Sequence, residues 1–207
     1  NIQSPFNDPK NSKVWAFKDA ADHGVSGNMH YLSPLSQNKV VNTVAVVDTG
    51  VDYNHEDLKD VMWINKREIA NNGIDDDNNG YVDDVNGWNV VLGSGELNGG
   101  SHGTPVMGIM GAKGNNGIGV SGINWDVKVM MVQTEFFTDE ATLIEGYGYP
   151  LAMRKLYNET NGAEGAFVVA TNSSWGVDRG QAEEAPIWCS LYDSLGLVGI
   201  LNCGATA

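Results

Sequence analysis

Two cysteines in 207 residues, Cys189 and Cys203, are too few for a disulfide framework, and neither sits in the C-x-x-C spacing of a structural zinc site. They leave the redox compartment open. Basic residues are scarce as well: 12 Lys and Arg stand against 26 Asp and Glu, a net charge of −14. Such a surface repels phosphate backbones and anionic membranes, which argues against nucleic-acid binding and favours cations or basic partners. No apolar run reaches the roughly 18 uninterrupted residues that a membrane span needs, so no span is expected. Internal repeats and low-complexity tracts are also missing. The opening NIQSPFNDPKNSK has neither an initiator Met nor the charged-then-apolar pattern of a signal peptide, and a processed or trimmed start is the expectation.

What is present suits one packed domain. With 42% hydrophobic residues the chain can bury a sizeable core. From Val40, VVNTVAVVDTGVD is nearly continuous apolar sequence ending in Asp48 and Gly50, the pattern of a parallel strand buried on both faces. Shorter apolar runs follow at 127–132, 166–170 and 197–201, with helical candidates after His102 and over about 142–159 and 182–195. Alternating strands and helices predict an α/β fold, a doubly wound and mainly parallel sheet with helices on both faces, over residues 1–207. The acidic stretch 65–100 reads as a long irregular insertion within it.

In GGSHGTPVMGIMGAKG, residues 99–114, Val106, Ile109 and Met110 recur at helical spacing and His102 opens the first turn. Gly103, Gly108 and Gly111 lower helix propensity, and close approach of another backbone is the expected reason for them. Asp48 at a strand carboxyl end and His102 at a helix amino end can face one crevice. A carboxylate there could hold an imidazole by Nδ1–H and leave Nε2 as a general base. On spacing alone Asp48 could equally be a turn or cap residue, and His102 a helix-start residue with a satisfied hydrogen bond.

VAVVDTGVDYNHEDL, SHGTPVMGIMGAKGNNGIGVSGI and TNSSWG occur in that order, and each resembles a signature block of the subtilisin-like serine proteases. The resemblance runs from about Phe6 to the end of the chain. It implies Asp48 as the orienting carboxylate and His102 as the base of an Asp-His-Ser triad. The G-T-S-x-A block of the nucleophile does not occur in these residues, and the family places it well over a hundred residues after the His. The partner implied is therefore a C-terminal remainder of the same domain carrying the Ser. By the same resemblance Ser174, Trp175 and Gly176 offer backbone groups to an extended peptide or protein substrate. Asn202, Cys203 and Gly204 line the pocket for the residue before the scissile bond. Ala205 falls where the family carries an oxyanion-binding Asn, a donor worth about 3 kcal/mol of transition-state stabilisation. An Asn shortly after Ala207 would restore it.

Local departures from the family pattern are Pro105 and Met107, in place of a second His and a small Ala. Proline costs nothing in a first helical turn, whereas Met107 adds bulk. Ser101 is expected to cap the His102 helix, and Cys203 to be a small buried hydrophobe and not a reactive thiol.

The segment GIDDDNNGYVDD carries a second signal. Asp75, Asp77 and Asn79 alternate, Gly80 takes the sixth position, Tyr81 offers a carbonyl at the seventh and Asp83 falls at the ninth, as in the first part of an EF-hand-like calcium loop. The twelfth position is Asn86 and not the bidentate Glu. The plain alternative is a solvated acidic loop, but clustered carboxylates repel unless a cation neutralises them, and Ca2+ is favoured. The family resemblance implies another calcium site from Asp8, Asp57, Asn116, Ile118 and Val120, pinning the N-terminal segment. His23, His30 and His55 read as surface or structural.

The reading that follows is a calcium-stabilised, exported serine endopeptidase domain, secreted or held at the cell surface or in a periplasm. Its rivals are a catalytically inactive calcium- and peptide-binding relative, a two-chain enzyme cut near residue 207, and a Cys203 hydrolase.

Overall fold

A computed structural model describes residues 7–10, 41–135, 139–177 and 180–205. Phe6, His23 and His30 lie outside the described residues. Among the described residues, five strands form one all-parallel sheet: β1 Thr43–Asp48, β2 Gly87–Asn89, β3 Lys128–Gln133, β4 Val168–Ser173 and β5 Leu201–Gly204, in the spatial order β2-β3-β1-β4-β5. Three α-helices among the described residues pack on it: α1 Gly103–Gly111, α2 Glu140–Glu159 and α3 Pro186–Leu197. The architecture is the α/β, parallel, doubly wound one that the alternation of elements implies.

The apolar runs are continuous because both sheet faces are covered. Along β1, Ala45 and Val47 enter one cluster with Tyr147, Tyr149 and Met153 of α2 and Leu195 of α3, while Val46 enters the other with Met107 of α1. Along β3 the same alternation sends Met130 and Val132 to the first cluster and Val129 and Met131 to the second. β1 lies where the chain reverses its winding, with β3 on one side and β4 on the other. A sheet of this kind opens its crevice at the carboxyl end of that strand.

Several boundaries differ from the sequence expectation. The stretch 65–100 is not wholly irregular, since Gly87–Asn89 pairs with β3 as an edge strand too short to show periodicity. The strand expected at 166–170 is displaced to Val168–Ser173, and that expected at 197–201 begins only at Leu201, because α3 continues to Leu197 and Gly199 makes the turn at φ +84°. Residues 182–195 divide into a short 3-10 turn, Ala182–Glu184, and α3, which starts at Pro186, where the missing N–H costs nothing. Asp139 caps α2 by accepting from the Thr142 amide at 2.8 Å, two residues earlier than expected.

Ser101 is not the cap of α1. The N-cap position is His102, and its side chain makes no capping bond. Thr104 secures the turn instead, donating from Oγ1 to the Gly100 carbonyl at 2.6 Å and accepting from the Asp52 amide at 2.9 Å. Cys203 is exposed and not buried: it sits on β5, an edge strand whose residues are mostly open to solvent.

Candidate active site

β1 delivers Asp48 to the crevice fully buried, and α1 begins with His102 beside it. The imidazole Nδ1 lies 2.9 Å from Asp48 Oδ1 and 3.0 Å from Oδ2. Asp48 Oδ1 also accepts from the Thr49 amide at 2.7 Å, and the Asp48 carbonyl accepts from the Thr134 amide at 2.8 Å. With Asp48 ionised, Nδ1 carries the proton and donates, which leaves Nε2 as the basic nitrogen of a ring 39% exposed. The glycines explain how the two approach. A side chain at Gly100 or Gly103 would collide with the carbonyl oxygen of Gly50, two residues after Asp48, so three bare backbones interlock and bring the start of α1 against the end of β1. Close backbone approach thus accounts for Gly103. Gly111 faces the Val127 side chain, and Gly108 meets no described atom within 4 Å, so the expectation fails there.

The segment after β4 places Ser174, Trp175 and Gly176 at the same end of the sheet. The Trp175 indole donates to the carbonyl of Val47, the residue before Asp48, at 2.8 Å and stacks on Trp188 of α3 at 5.9 Å between ring centres. Beneath it, Tyr192 donates to the Tyr147 hydroxyl at 3.0 Å, and that hydroxyl shares a 2.5 Å bond with Ser173. This aromatic support was not read from the sequence. Ser174 Oγ accepts from the Asn172 amide group at 3.0 Å. On β5, Asn202 Oδ1 accepts from the Thr171 hydroxyl at 2.8 Å, Cys203 pairs with Asn172 and Gly204 with Ser173. The Ala205 amide donates to the Ser173 carbonyl at 2.9 Å.

The acidic loop gathers carboxylates by a different route. Ligand oxygens of Glu68, Asp75 and Asp77 lie within 4.8 Å of one another. That span fits one cation with hard oxygen donors at about 2.3–2.6 Å. Glu68 lies before the loop motif and was missed; the signal was only an acidic residue preceding an acidic run. Its Oε1 accepts from the amides of Asp76 at 2.9 Å and Asp77 at 3.2 Å, and its Oε2 from that of Asp83 at 2.9 Å. Burial raises its pKa against those three bonds. Asn79 lies in the same turn, its amide donating to Asp75 and Asp77, and its Oδ1 accepts from the Tyr81 amide at 2.7 Å. Asp83 turns away: its carboxylate accepts from the amides of Asn72 and Gly73, both at 3.0 Å. Asp84, also missed, is fully buried, and it joins the loop to the core through the Tyr149 hydroxyl at 2.8 Å, Asn65 Nδ2 at 2.8 Å and Asn79 Nδ2 at 3.1 Å. Burial pushes its carboxyl up to about 7, against the pull of those hydrogen bonds.

At the N-terminal segment, buried Asp8 accepts from the amides of Asn115, Asn116 and Gly117 and from the Ser121 hydroxyl. Asp57 accepts from Asn116 Nδ2 at 2.9 Å and from the Val120 amide at 3.0 Å, and Asn116 Oδ1 accepts from the Ile118 amide at 2.9 Å. The five residues are thus brought together around one loop. His55 Nδ1 accepts from the Asp57 amide at 3.2 Å, a structural role.

The Subtilase family matches residues 41–191. Subtilisin-like protease 1 of Plasmodium falciparum (isolate 3D7) is 45% identical over 100 residues, 47% of this chain and 14% of that protein. Its namesake in Plasmodium vivax is 44% identical over 100 residues, again 47% of this chain and 16% of the other. The chain therefore spans a small part of the curated relatives it matches. Among solved structures, the epidermin leader peptide processing serine protease of Staphylococcus aureus superposes with a TM-score of 0.52 at 16% identity, covering 100% of this chain and 44% of that one, which bears on the fold. The match over residues 41–191, from β1 through the Asp48–His102 corner and into α3, means that the chain belongs to the subtilase family of serine proteases.

Proposed function

We propose that residues 1–207 form the N-terminal part of a serine endopeptidase catalytic domain whose nucleophile lies beyond residue 207. The observation that carries this is the fully buried Asp48 carboxylate bound to Nδ1 of His102 at 2.9 and 3.0 Å, at the carboxyl end of the strand where the sheet reverses. His102 Nε2 takes the hydroxyl proton of that serine as its Oγ attacks the peptide carbonyl, then gives the proton to the departing amine. Water, giving its proton to the same Nε2, then attacks the acyl-enzyme carbonyl; the bond to Ser Oγ breaks, Oγ takes the proton back, and the carboxylic product leaves. Asp48 keeps the ring in the productive tautomer and stabilises the imidazolium. The peptide lies extended along Ser174, Trp175 and Gly176, with Asn202, Cys203 and Gly204 lining the pocket for the residue before the scissile bond. The oxyanion donor is left open, with Ala205 at the expected Asn.

Calcium belongs to the same reading. Glu68, Asp75 and Asp77 would hold one ion with help from Asn79 and Tyr81 but not from Asp83, whose carboxylate faces the Asn72 and Gly73 amides, and Asp8, Asp57, Asn116, Ile118 and Val120 a second. Calcium would supply charge neutralisation and loop anchoring, and take no part in the bond-making steps. Weak calcium sites fill at the concentrations found outside cells, which agrees with a secreted or cell-surface protease. Ala205, at the position of the expected oxyanion Asn, favours one second reading, a calcium- and peptide-binding relative without activity.

An intact-mass spectrum of the full protein under denaturing conditions, with and without a serine-directed phosphonate, tests the proposal. The expected result is one added probe on a serine-bearing polypeptide, slowed at least a thousandfold in His102→Ala. An unlabelled protein would sink the endopeptidase reading and favour the inactive relative.

A further inference from the structure

A cavity of about 410 Å³ adjoins the dyad. Thr49 and Thr134 reach it at the carboxyl ends of β1 and β3; Thr49 is bonded to the Asp48 carboxylate and Thr134 to the Asp48 carbonyl. Its wall is apolar and open: Val91 and Leu92 are 45% and 54% exposed there, on a loop that leaves β2. Part of the floor's polar chemistry is already committed. Asn89 Oδ1 accepts from the Val91 and Leu92 amides, both at 3.1 Å, its Nδ2 donates to the Glu96 carbonyl at 2.9 Å, and Gln133 Oε1 accepts from the Asn98 amide at 2.8 Å. These bonds hold the floor in place beneath the wall and rim. Among the described residues, the one charged residue lining it is Glu135, exposed and two residues past the end of β3.

An aliphatic wall beside a single carboxylate complements an aliphatic stem ending in a cation. We infer that this cavity takes a basic side chain, Lys or Arg, of the peptide substrate, one or two residues from the scissile bond, with Glu135 as the specificity-determining group. The net charge of −14 acts in the same direction over longer range, drawing basic peptides to the cleft. The inference rests on the endopeptidase reading for the word substrate, but the preference of the cavity can be read without turnover.

The test uses the intact protein and fluorogenic peptides in which Lys, norleucine or Glu is walked through every position. At one position near the cleaved bond, Lys should be cleaved about fivefold faster than norleucine, the size of an exposed ion pair, and Glu more slowly than either. In Glu135→Gln the ratio of Lys to norleucine should fall toward one, and in Glu135→Lys the Glu peptide should overtake the Lys peptide. Fluorescence anisotropy of the same peptides on His102→Ala reads binding alone. Cleavage with no charge preference, or a preference that persists in Glu135→Gln, would overturn the inference and leave the endopeptidase reading standing. Lys-selective binding that depends on Glu135, with no cleavage by the intact protein, would uphold the inference and remove the endopeptidase reading. Unselective binding without cleavage would overturn both.

Discussion

The corner that joins Asp48 to His102 and the loop that runs from Glu68 to Asp84 are held shut by opposite means. In the corner, Gly50, Gly100 and Gly103 press backbone on backbone between a buried strand and a helix, with the core on either face. In the loop, carboxylates do the holding: Glu68, Asp75, Asp77 and Asp83 each accept from main-chain amides. The first arrangement is steric, indifferent to ions and intolerant of a single methyl group. The second tolerates substitution in shape but gathers negative charge that a bound cation or a proton would relieve. Geometry that must be accurate for chemistry is built from packing, and geometry that must only be stable is built from charge.

A methyl group in the corner should give the largest effect. In Gly103→Ala the new Cβ meets the Gly50 carbonyl oxygen, which has no side-chain freedom with which to yield, and it comes within 3.4 Å of Asp48 Cβ. The first turn of α1 must then shift, carrying His102 off the carboxylate. A displacement near 1 Å costs about a hundredfold in rate, so phosphonate labelling should slow by that factor or more while far-UV circular dichroism stays native. Unchanged labelling would mean that the corner gives way elsewhere, and the contrast with the loop would fail.

Calcium removal strikes the other region. At a calcium concentration a hundredfold above its Kd, binding stabilises by about 2.7 kcal/mol, and in a domain of this size chelation should lower Tm by roughly 5–10 °C. Loop amides around Asp76 and Asp83 should exchange faster with solvent, and those of β1 should not. A Tm indifferent to chelator would return the loop to a solvated acidic turn.

Two isosteric substitutions sharpen the point further. Glu68→Gln removes a charge from the cluster with Asp75 and Asp77, whereas Asp83→Asn removes one whose oxygens face the amides of Asn72 and Gly73. Asn tolerates the positive φ of 57° at position 83, so the backbone is not a confounding factor. Calorimetry should show calcium affinity falling about tenfold in Glu68→Gln and much less in Asp83→Asn. The reverse order would restore the ninth position of the motif as the ligand.

The same contrast explains what the sequence revealed. Asp48 and His102 could be placed at a strand end and a helix start from the alternation of elements. Their pairing as carboxylate and base came instead from the resemblance to the subtilisin-like proteases, because on spacing alone each could equally be a turn, cap or helix-start residue. The parallel sheet was legible in the apolar runs, although β5 and α3 were misjudged where Leu197 continues a helix through a run that reads as a strand. Glu68 and Asp84 were not legible. They join the loop through side-chain bonds across 8 to 65 residues, Glu68 to Asp76 and Asp84 to Tyr149, and no periodicity records such pairings. Cys203 was misread because burial on an edge strand depends on what lies beside it.

Within α1 itself the steric argument can be turned round, with the smallest expected effect. Gly108 lies in the same helix as Gly103, but a Cβ there meets no described atom within 4 Å. It faces a cavity of about 270 Å³ lined also by Leu58, Ile109, Ala112 and Val120. Alanine at a helix interior is favoured over glycine by about 0.8–1.0 kcal/mol, because the unfolded chain loses less conformational freedom and the helix backbone is better screened. Gly108→Ala should therefore raise Tm by about 2–4 °C without changing phosphonate labelling, the opposite sign to Gly103→Ala five residues earlier. Destabilisation would mean that this cavity is filled by another segment, and that close approach governs Gly108 as it governs the corner.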